Sequence, residues 1–298
     1  MKQMLFVMNP YAGTRRANRY LPDIITIFNK AGYKVHIFMT QGPGDCRKIV
    51  EENAAGMDLV VCAGGDGTLN EAINGLMHQQ LDISIGYIPC GSTNDFASAL
   101  KLPTNVLEAA RCIVGGKPKR YDIGLFHDRY FSYVASFGAF TRASYATPQN
   151  IKNALGHTAY ILSGIQELSQ LRTEHIRIET DNQVIEGDYL FGAISNSISL
   201  GGIITLDPKQ VDMTDGKFEL LLVRAPKDLS ELSQCIVALQ KQNYHDCAML
   251  TFVSTPQLRV TAPADMCWSL DGEQESGRRE ILVSNQHLAI SLIQKEKI

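Results

Sequence analysis

The 298-residue chain has no CxxC pair, no HxxxH or HExxH spacing, no surplus of positive charge and no unbroken apolar run of bilayer length. Its seven cysteines (Cys46, Cys62, Cys90, Cys112, Cys235, Cys247 and Cys267) are odd in number and scattered, which argues against paired-cysteine chemistry and reads as buried cytosolic thiols. The seven histidines lack metal-ligand spacing, so a zinc site is not expected and none is given a role. Lys+Arg 28 against Asp+Glu 31 gives a net charge of −3, with no global field of the kind that draws proteins onto nucleic acid. The longest uncharged stretch, residues 189–206, is interrupted by serines, an asparagine and glycines, which excludes a transmembrane helix there. The amino terminus enters a strand-length apolar run at once and lacks the pattern of an export signal, so a cytoplasmic location is expected.

What is present is an ordinary globular composition, 45% hydrophobic and 20% charged, in a chain long enough for about two domains at ~150 residues each. The first third alternates β-rich runs with helical-length segments: Met4 to Met8 then 18–31, Tyr33 to Met39 then 45–55, Asp58 to Cys62 then 68–78, and Ile83 to Ile88 then 94–100. Such alternation needs crossover connections and predicts a doubly wound α/β domain with a parallel sheet. Beyond about residue 120 close-set strands and turn dipeptides take over, as in Ile176 to Thr180, Asp181-Asn182, Val184 to Ser195. This half reads as an antiparallel β-sandwich with covering helices at about 157–170 and 227–241. The latter carries Leu229, Leu232, Ile236 and Leu239 on one face. The expected division is 1–122 and 123–298, with the carboxyl-terminal segment free to return to the first domain.

Three glycine-containing loops follow three strands of the first half: Asn9-Pro10-Tyr11-Ala12-Gly13, Gly64-Gly65-Asp66-Gly67-Thr68-Leu69-Asn70-Glu71, and Pro89-Cys90-Gly91-Ser92-Thr93-Asn94-Asp95. In a parallel sheet the carboxyl ends of the strands share an edge, so the loops are expected to make one site. The second has phosphate-cradle character, because glycines let backbone approach a ligand and the following helix presents N–H groups and a positive dipole end. Thr68 either caps that helix or bonds a phosphate oxygen, and Asn70 offers an amide to the nucleotide. Asp66 faces phosphate only with a cation or water between, which implies Mg2+. Glu71 is read as a first-turn carboxylate with a structural role.

The run Gly64 to Thr68 with Asn70-Glu71 resembles the signature of the diacylglycerol kinase catalytic domain, shared with sphingosine and ceramide kinases and, in shorter form, NAD kinases. The Asn9–Gly13 loop, the segment Gly91 to Ala97, Gly201-Gly202, Asp215-Gly216 and Asp271-Gly272-Glu273 are similar to the soluble bacterial lipid kinases of that group. The resemblance implies an ATP- and Mg2+-dependent lipid kinase that phosphorylates diacylglycerol or a related lipid alcohol, ATP and lipid meeting between an α/β domain and a β-sandwich domain. It implies that Asn9, Gly13, Thr40, Gly64, Gly65, Asp66, Gly67, Thr68, Leu69, Asn70 and Ser92 line the ATP site. It further implies that Glu273 is the general base, that Asp66 and Asp215 serve catalysis, and that Asp215 anchors Mg2+ beside backbone carbonyls near Asp212 and Lys217, with Asp122 linked through water. On local sequence alone, Asp215-Gly216 and Asp271-Gly272 read as hairpin turns and Asp122 equally as an exposed strand-end carboxylate.

The expected partner is a lipid alcohol at a membrane surface, met by transient peripheral association, with no nucleic acid partner and compatibility with a homodimer. Local basic runs, Arg15, Arg16 and Arg19 and then Lys117, Lys119 and Arg120, are candidates for contact with anionic headgroups. Relatives often carry basic residues where this chain has Thr14 and Ser98; Arg15, Arg16 or Arg142 is a candidate replacement. Trp268 and the run Tyr130, Phe131, Tyr133, Phe137, Phe140 read as sandwich core. The rival functions are an NAD kinase-like enzyme acting on a ribose hydroxyl and a non-catalytic nucleotide or lipid sensor.

Overall fold

The computed structural model describes residues 1–13, 16–92, 94–138, 172–200 and 204–295. The expected helix at 157–170, and Thr14, Arg15, Thr93, Phe140, Arg142, His157, Gly201 and Gly202, lie outside the described residues, as does the side chain of Arg16. By its contacts the chain divides into one unit of Met1–Ile123 with Gln286–Ile298 and a second of Gly124–Asn285.

The first unit runs β1 (Lys2–Met8), α1 (Arg16–Lys30), β2 (Tyr33–Met39), α2 (Asp45–Asn53), β3 (Leu59–Gly64), α3 (Asp66–His78), β4 (Ile85–Pro89), α4 (Asp95–Ala99), α5 (Val106–Gly115) and most of β5 (Lys117–Phe126). Its sheet has the parallel order β2-β1-β3-β4, and Leu292 of the last strand pairs beyond β4 with Ile85. β3 and β4 are buried along their whole length, as strands covered on both faces must be. Met4, Phe6, Met8, Val61 and Ala63 point to one face, against Ile24 and Phe28 of α1 and Val106, Ala110 and Ile113 of α5. Their neighbours Leu5, Val7, Val60 and Cys62, equally buried, point to the other by the two-residue period of a strand. The sequence reading missed α5, whose Asn105 caps it by accepting from the N–H groups of Leu107 and Glu108.

The second unit comprises the end of β5, then β6 (Arg129–Phe131), β7 (Val134–Gly138), β8 (Glu174–Thr180), β9 (Val184–Ser195), β10 (Ser199–Leu200), β11 (Ile204–Thr205), β12 (Phe218–Arg224), α6 (Leu229–Lys241), β13 (Leu250–Thr255), β14 (Gln257–Thr261), β15 (Trp268–Leu270), β16 (Glu273–Glu275) and the start of β17 (Glu280–Gln294). Its pairings are antiparallel. The first half of β9 pairs with β8 and its second half lies between β7 and β12, so one strand serves both sheets of a sandwich. Trp268 is fully buried, its ring 4.9 Å from Phe126 and 5.1 Å from Phe137 in edge-on packing. Phe131, Tyr133 and Phe137 of the aromatic run are buried too, while Tyr130 is half-buried. In the uncharged stretch, residues 189–195 belong to β9, Ser199–Leu200 form β10 and Ile204–Thr205 form β11; among the described residues no helix is long and apolar enough to cross a membrane.

Candidate functional site

In the first unit the three glycine loops follow β1, β3 and β4, which are neighbours in the sheet, and they touch one another. Gly13 has φ +51, and a Cβ there would lie 2.3 Å from the Cys90 carbonyl oxygen, so the first loop lies against the third. A Cβ on Gly91 would lie 2.6 Å from Gly65 Cα, so the third lies against the second. Asn9 Nδ2 stands 3.5 Å from Thr68 Oγ1, joining the first to the second, while Asn9 Oδ1 accepts from Tyr11 N at 2.9 Å. These contacts are backbone against backbone at the glycines, where any side chain would hold the loops apart.

Helix α3 begins at Asp66 and its cap residue, Gly65, has no side chain to occupy the first-turn N–H groups. Thr68 does not cap it, contrary to one expectation, because the helix starts a half-turn earlier than the sequence suggested. By its dipole and its N–H donors, a helix opening of this kind suits an anion. Leu69 is fully buried and Ser92 is exposed in the third loop. Asn70 is buried and its Oδ1 accepts from Asn74 Nδ2 at 3.0 Å, so its amide is turned along its own helix.

Asp66 is engaged in a way the sequence did not reveal. Its Oδ2 accepts from Asp95 N at 3.0 Å and its Oδ1 from Phe96 N at 3.3 Å, pinning the first turn of α4 to the second loop. Asn94 closes the third loop on itself, accepting from Gly91 N at 2.8 Å and donating to Gly91 O at 2.9 Å. Glu71 does more than favour its own helix: Oε1 accepts from Gly44 N at 2.7 Å and Oε2 from Cys46 N at 3.0 Å, which caps α2. That cap fixes the turn after Thr40, itself buried and bonded through its N–H to Met8 O at 2.9 Å. Asp122 is fully buried, not an exposed strand end; its Oδ1 accepts from Leu288 N at 2.7 Å and lies 3.0 Å from His287 Nδ1.

In the second unit, Asp212 and Asp215 stand in the exposed turn before β12. Asp212 Oδ1 accepts from Thr214 N at 2.9 Å, and Asp215 Oδ1 accepts from Lys217 N at 2.9 Å. Asn285 Nδ2 donates to Lys217 O at 3.0 Å, while Asn285 Oδ1 is buried with no partner. Glu219, two residues on, is buried with Oε2 unpartnered and Oε1 3.4 Å from Ser254 Oγ. Burial, then the charges of Asp215 and Asp212, push its carboxyl up to about 8. Among the described residues no three His, Cys, Asp or Glu side chains are grouped as a closed metal site requires. The carboxylates of Asp212 and Asp215 and the orphaned oxygens of Glu219 and Asn285 nevertheless fit Mg2+, which takes one or two carboxylates and keeps several waters.

Asp271 and Glu273 flank the β15–β16 turn. Asp271 is buried with φ +50, and its carboxylate takes three backbone donors: Ser132 N to Oδ2 at 2.5 Å, and Tyr133 N and Val134 N to Oδ1 at 3.0 Å each. It therefore locks the β6–β7 turn to the turn carrying Glu273. Glu273 is partly exposed and paired through Oε2 with Arg129 Nη2; Arg129 Nη1 also reaches Glu275 Oε2 at 3.0 Å.

The cysteines divide: Cys46, Cys62, Cys235 and Cys247 are buried as expected, Cys90 and Cys112 are half-buried and Cys267 is exposed. Burial pushes the Cys90 thiol up to about 11. Of the basic run before the second unit, Arg120 is committed to Asp82 at 2.5 Å and to Leu288 O at 3.1 Å, and Lys119 stands 5.0 Å from the centre of the Tyr121 ring.

Residues 3–126 match the family described as "Diacylglycerol kinase catalytic domain", and residues 134–288 match "YegS C-terminal NAD kinase beta sandwich-like domain". A curated relative named diacylglycerol kinase from Staphylococcus saprophyticus is 33% identical over 276 residues, covering 91% of this chain and 89% of its own. Another of that name from Bacillus subtilis strain 168 is 31% identical over 275 residues, covering 92% and 90%. The crystal structure of a diacylglycerol kinase from Bacillus anthracis strain Sterne superposes with a TM-score of 0.78 at 25% identity, covering 99% of this chain and 97% of that one.

Proposed function

The chain belongs to the diacylglycerol kinase family, a lipid kinase at that level, and from this premise we propose that it transfers the γ-phosphoryl group of ATP to the hydroxyl of diacylglycerol or a related lipid alcohol. The observation that carries the reading is the mutual contact of the three glycine loops at the opening of α3. A triphosphate needs several backbone N–H groups converging from different loops, and the glycine contacts supply that convergence.

In this reading Asn9, Gly13, Thr40, the run Gly64 to Thr68 and Ser92 surround the nucleotide, with Leu69 and Asn70 buried behind the loop. Asp66 and Glu71 act by position, since their carboxylates are bonded to the backbone of α4 and of α2. The acceptor oxygen attacks the γ-phosphorus, a new P–O bond forms, the bond to the β,γ-bridging oxygen breaks, and ADP leaves with the electron pair. The acceptor proton passes to the carboxylate of Glu273. Mg2+ would be held by the Asp215 carboxylate and the backbone carbonyls at Asp212 and Lys217, and would offset charge on the phosphates. The lipid is met at a bilayer surface by peripheral association.

The test is transfer of label from γ-labelled ATP to a panel of lipid alcohols in mixed micelles, with NAD in parallel. Label in diacylglycerol or a related alcohol and none in NAD supports the reading; label in NAD, or ATP binding without any labelled lipid, overturns it. Asp66→Ala is expected to lose activity through displaced loops.

A further inference from the structure

Glu273 and Glu275 stand two apart on β16, so their side chains lie on one face of that strand. Arg129, at the start of β6, sends one nitrogen of its fork to each of them. The three are not equally solvated: the Glu275 side chain is 22% exposed, Arg129 28% and Glu273 44%. Glu275 is thus the inner member and Glu273 the outer. The elements that carry them are tied together by Asp271, whose carboxylate takes the N–H groups of Ser132, Tyr133 and Val134. Arg129 begins three residues before that tie, and Glu273 follows Asp271 by two.

We propose that Arg129 is a positioning residue for the reaction: it holds Oε2 of Glu273 so that Oε1 is the oxygen presented to the acceptor hydroxyl, and Glu275 holds the arginine in place. This rests on the reading in which Glu273 accepts the acceptor proton. A glutamate has three side-chain torsions, and an outward-facing one spreads over many rotamers unless something holds its end. The planar guanidinium bonds two carboxylates at fixed angles, which a lysine ammonium cannot reproduce. Arg129 touches neither reacting oxygen. Its effect falls on the fraction of time Glu273 is aligned for proton transfer.

The experiment compares kcat and KM for wild type, Arg129→Ala, Arg129→Lys and Glu275→Gln, each alone and combined with Glu273→Gln, in the full-length protein. Arg129→Ala is expected to lower kcat about tenfold or more with KM for ATP within twofold of wild type. Arg129→Lys retains more activity, and added guanidinium ion restores part of the kcat of Arg129→Ala. In the Glu273→Gln background, removing Arg129 costs nothing further, because the group it positions is gone. Equal loss in both backgrounds, no guanidinium rescue, or a kcat that stays level or rises in Arg129→Ala overturns the proposal. Should Arg129→Ala not fold, Arg129→Lys and Glu275→Gln carry the same comparison. Wild-type kcat in Glu273→Gln refutes the base reading itself, and that outcome is separate from any result at Arg129.

Discussion

Replacing Asp271 by alanine is expected to weaken the fold by more than most single substitutions. The carboxylate is buried and takes three main-chain donors, at 2.5, 3.0 and 3.0 Å, all from a turn more than 130 residues away in sequence. Leaving a buried donor unmade costs about 1–3 kcal/mol, and partial relaxation of three neighbouring N–H groups puts the sum near the lower end, about 3 kcal/mol. Asp271 also holds φ +50, a region that aspartate tolerates and alanine enters at a cost of about 1 kcal/mol. The expected total is about 4 kcal/mol, or a fall in melting temperature on the order of 10 °C. Asp271→Asn keeps the backbone preference and one acceptor oxygen but turns an NH2 toward a donor, so it is expected to fall between the two. Thermal melts by circular dichroism for wild type, Asp271→Asn and Asp271→Ala check this. An Asp271→Ala melt within about 2 °C of wild type would refute the assignment of this carboxylate as the tie between the two turns.

Three other outcomes follow from the same geometry. Glu71→Ala exposes the capped turn at Gly44 and Cys46, so it is expected to destabilise by about 2 kcal/mol in denaturant titration and to raise KM for ATP through the Thr40 loop, whereas Glu71→Gln recovers part of both. Gly13→Ala places a Cβ against the Cys90 carbonyl at a left-handed φ, with an expected cost of about 2 kcal/mol and weaker ATP binding by calorimetry; unchanged affinity contradicts the packing of the loops. Cys267 is expected to alkylate first because it is the exposed thiol, while Cys90, whose thiol burial pushes up to about 11, is expected to alkylate increasingly as pH rises toward that value. Mass spectrometry of iodoacetamide-treated protein reads this, and equal labelling of Cys90 and Cys267 at pH 8 contradicts the burial assigned to Cys90.

The strand–helix alternation of the first third is legible because its buried strands are short apolar runs such as Leu59–Gly64 separated by helical-length segments; Tyr33 to Met39 is a strand to the residue. The convergence of the three loops follows from parallel topology alone. α5 carries a readable signal as well, an Asn cap followed by Val106, Ala109, Ala110 and Ile113. What the sequence could not display are the partners of its acids. Asp122 bonds to Leu288, Asp271 to Ser132 and its neighbours, and Glu273 to Arg129, each across well over a hundred residues. Local patterning carries no trace of such pairs. Asp66 and Glu71 show the same limit at shorter range: their residue types fit several roles, and only the fold reveals which N–H groups they accept from.

The most direct measurement is turnover of a lipid alcohol by Glu273→Gln beside wild type, with ATP affinity measured on both. The account predicts phosphorylated lipid from wild type, at least about a hundredfold lower kcat in the variant, and the same ATP affinity in each. Equal turnover by the two proteins, or loss of ATP binding as the sole cause of the variant's inactivity, would contradict it.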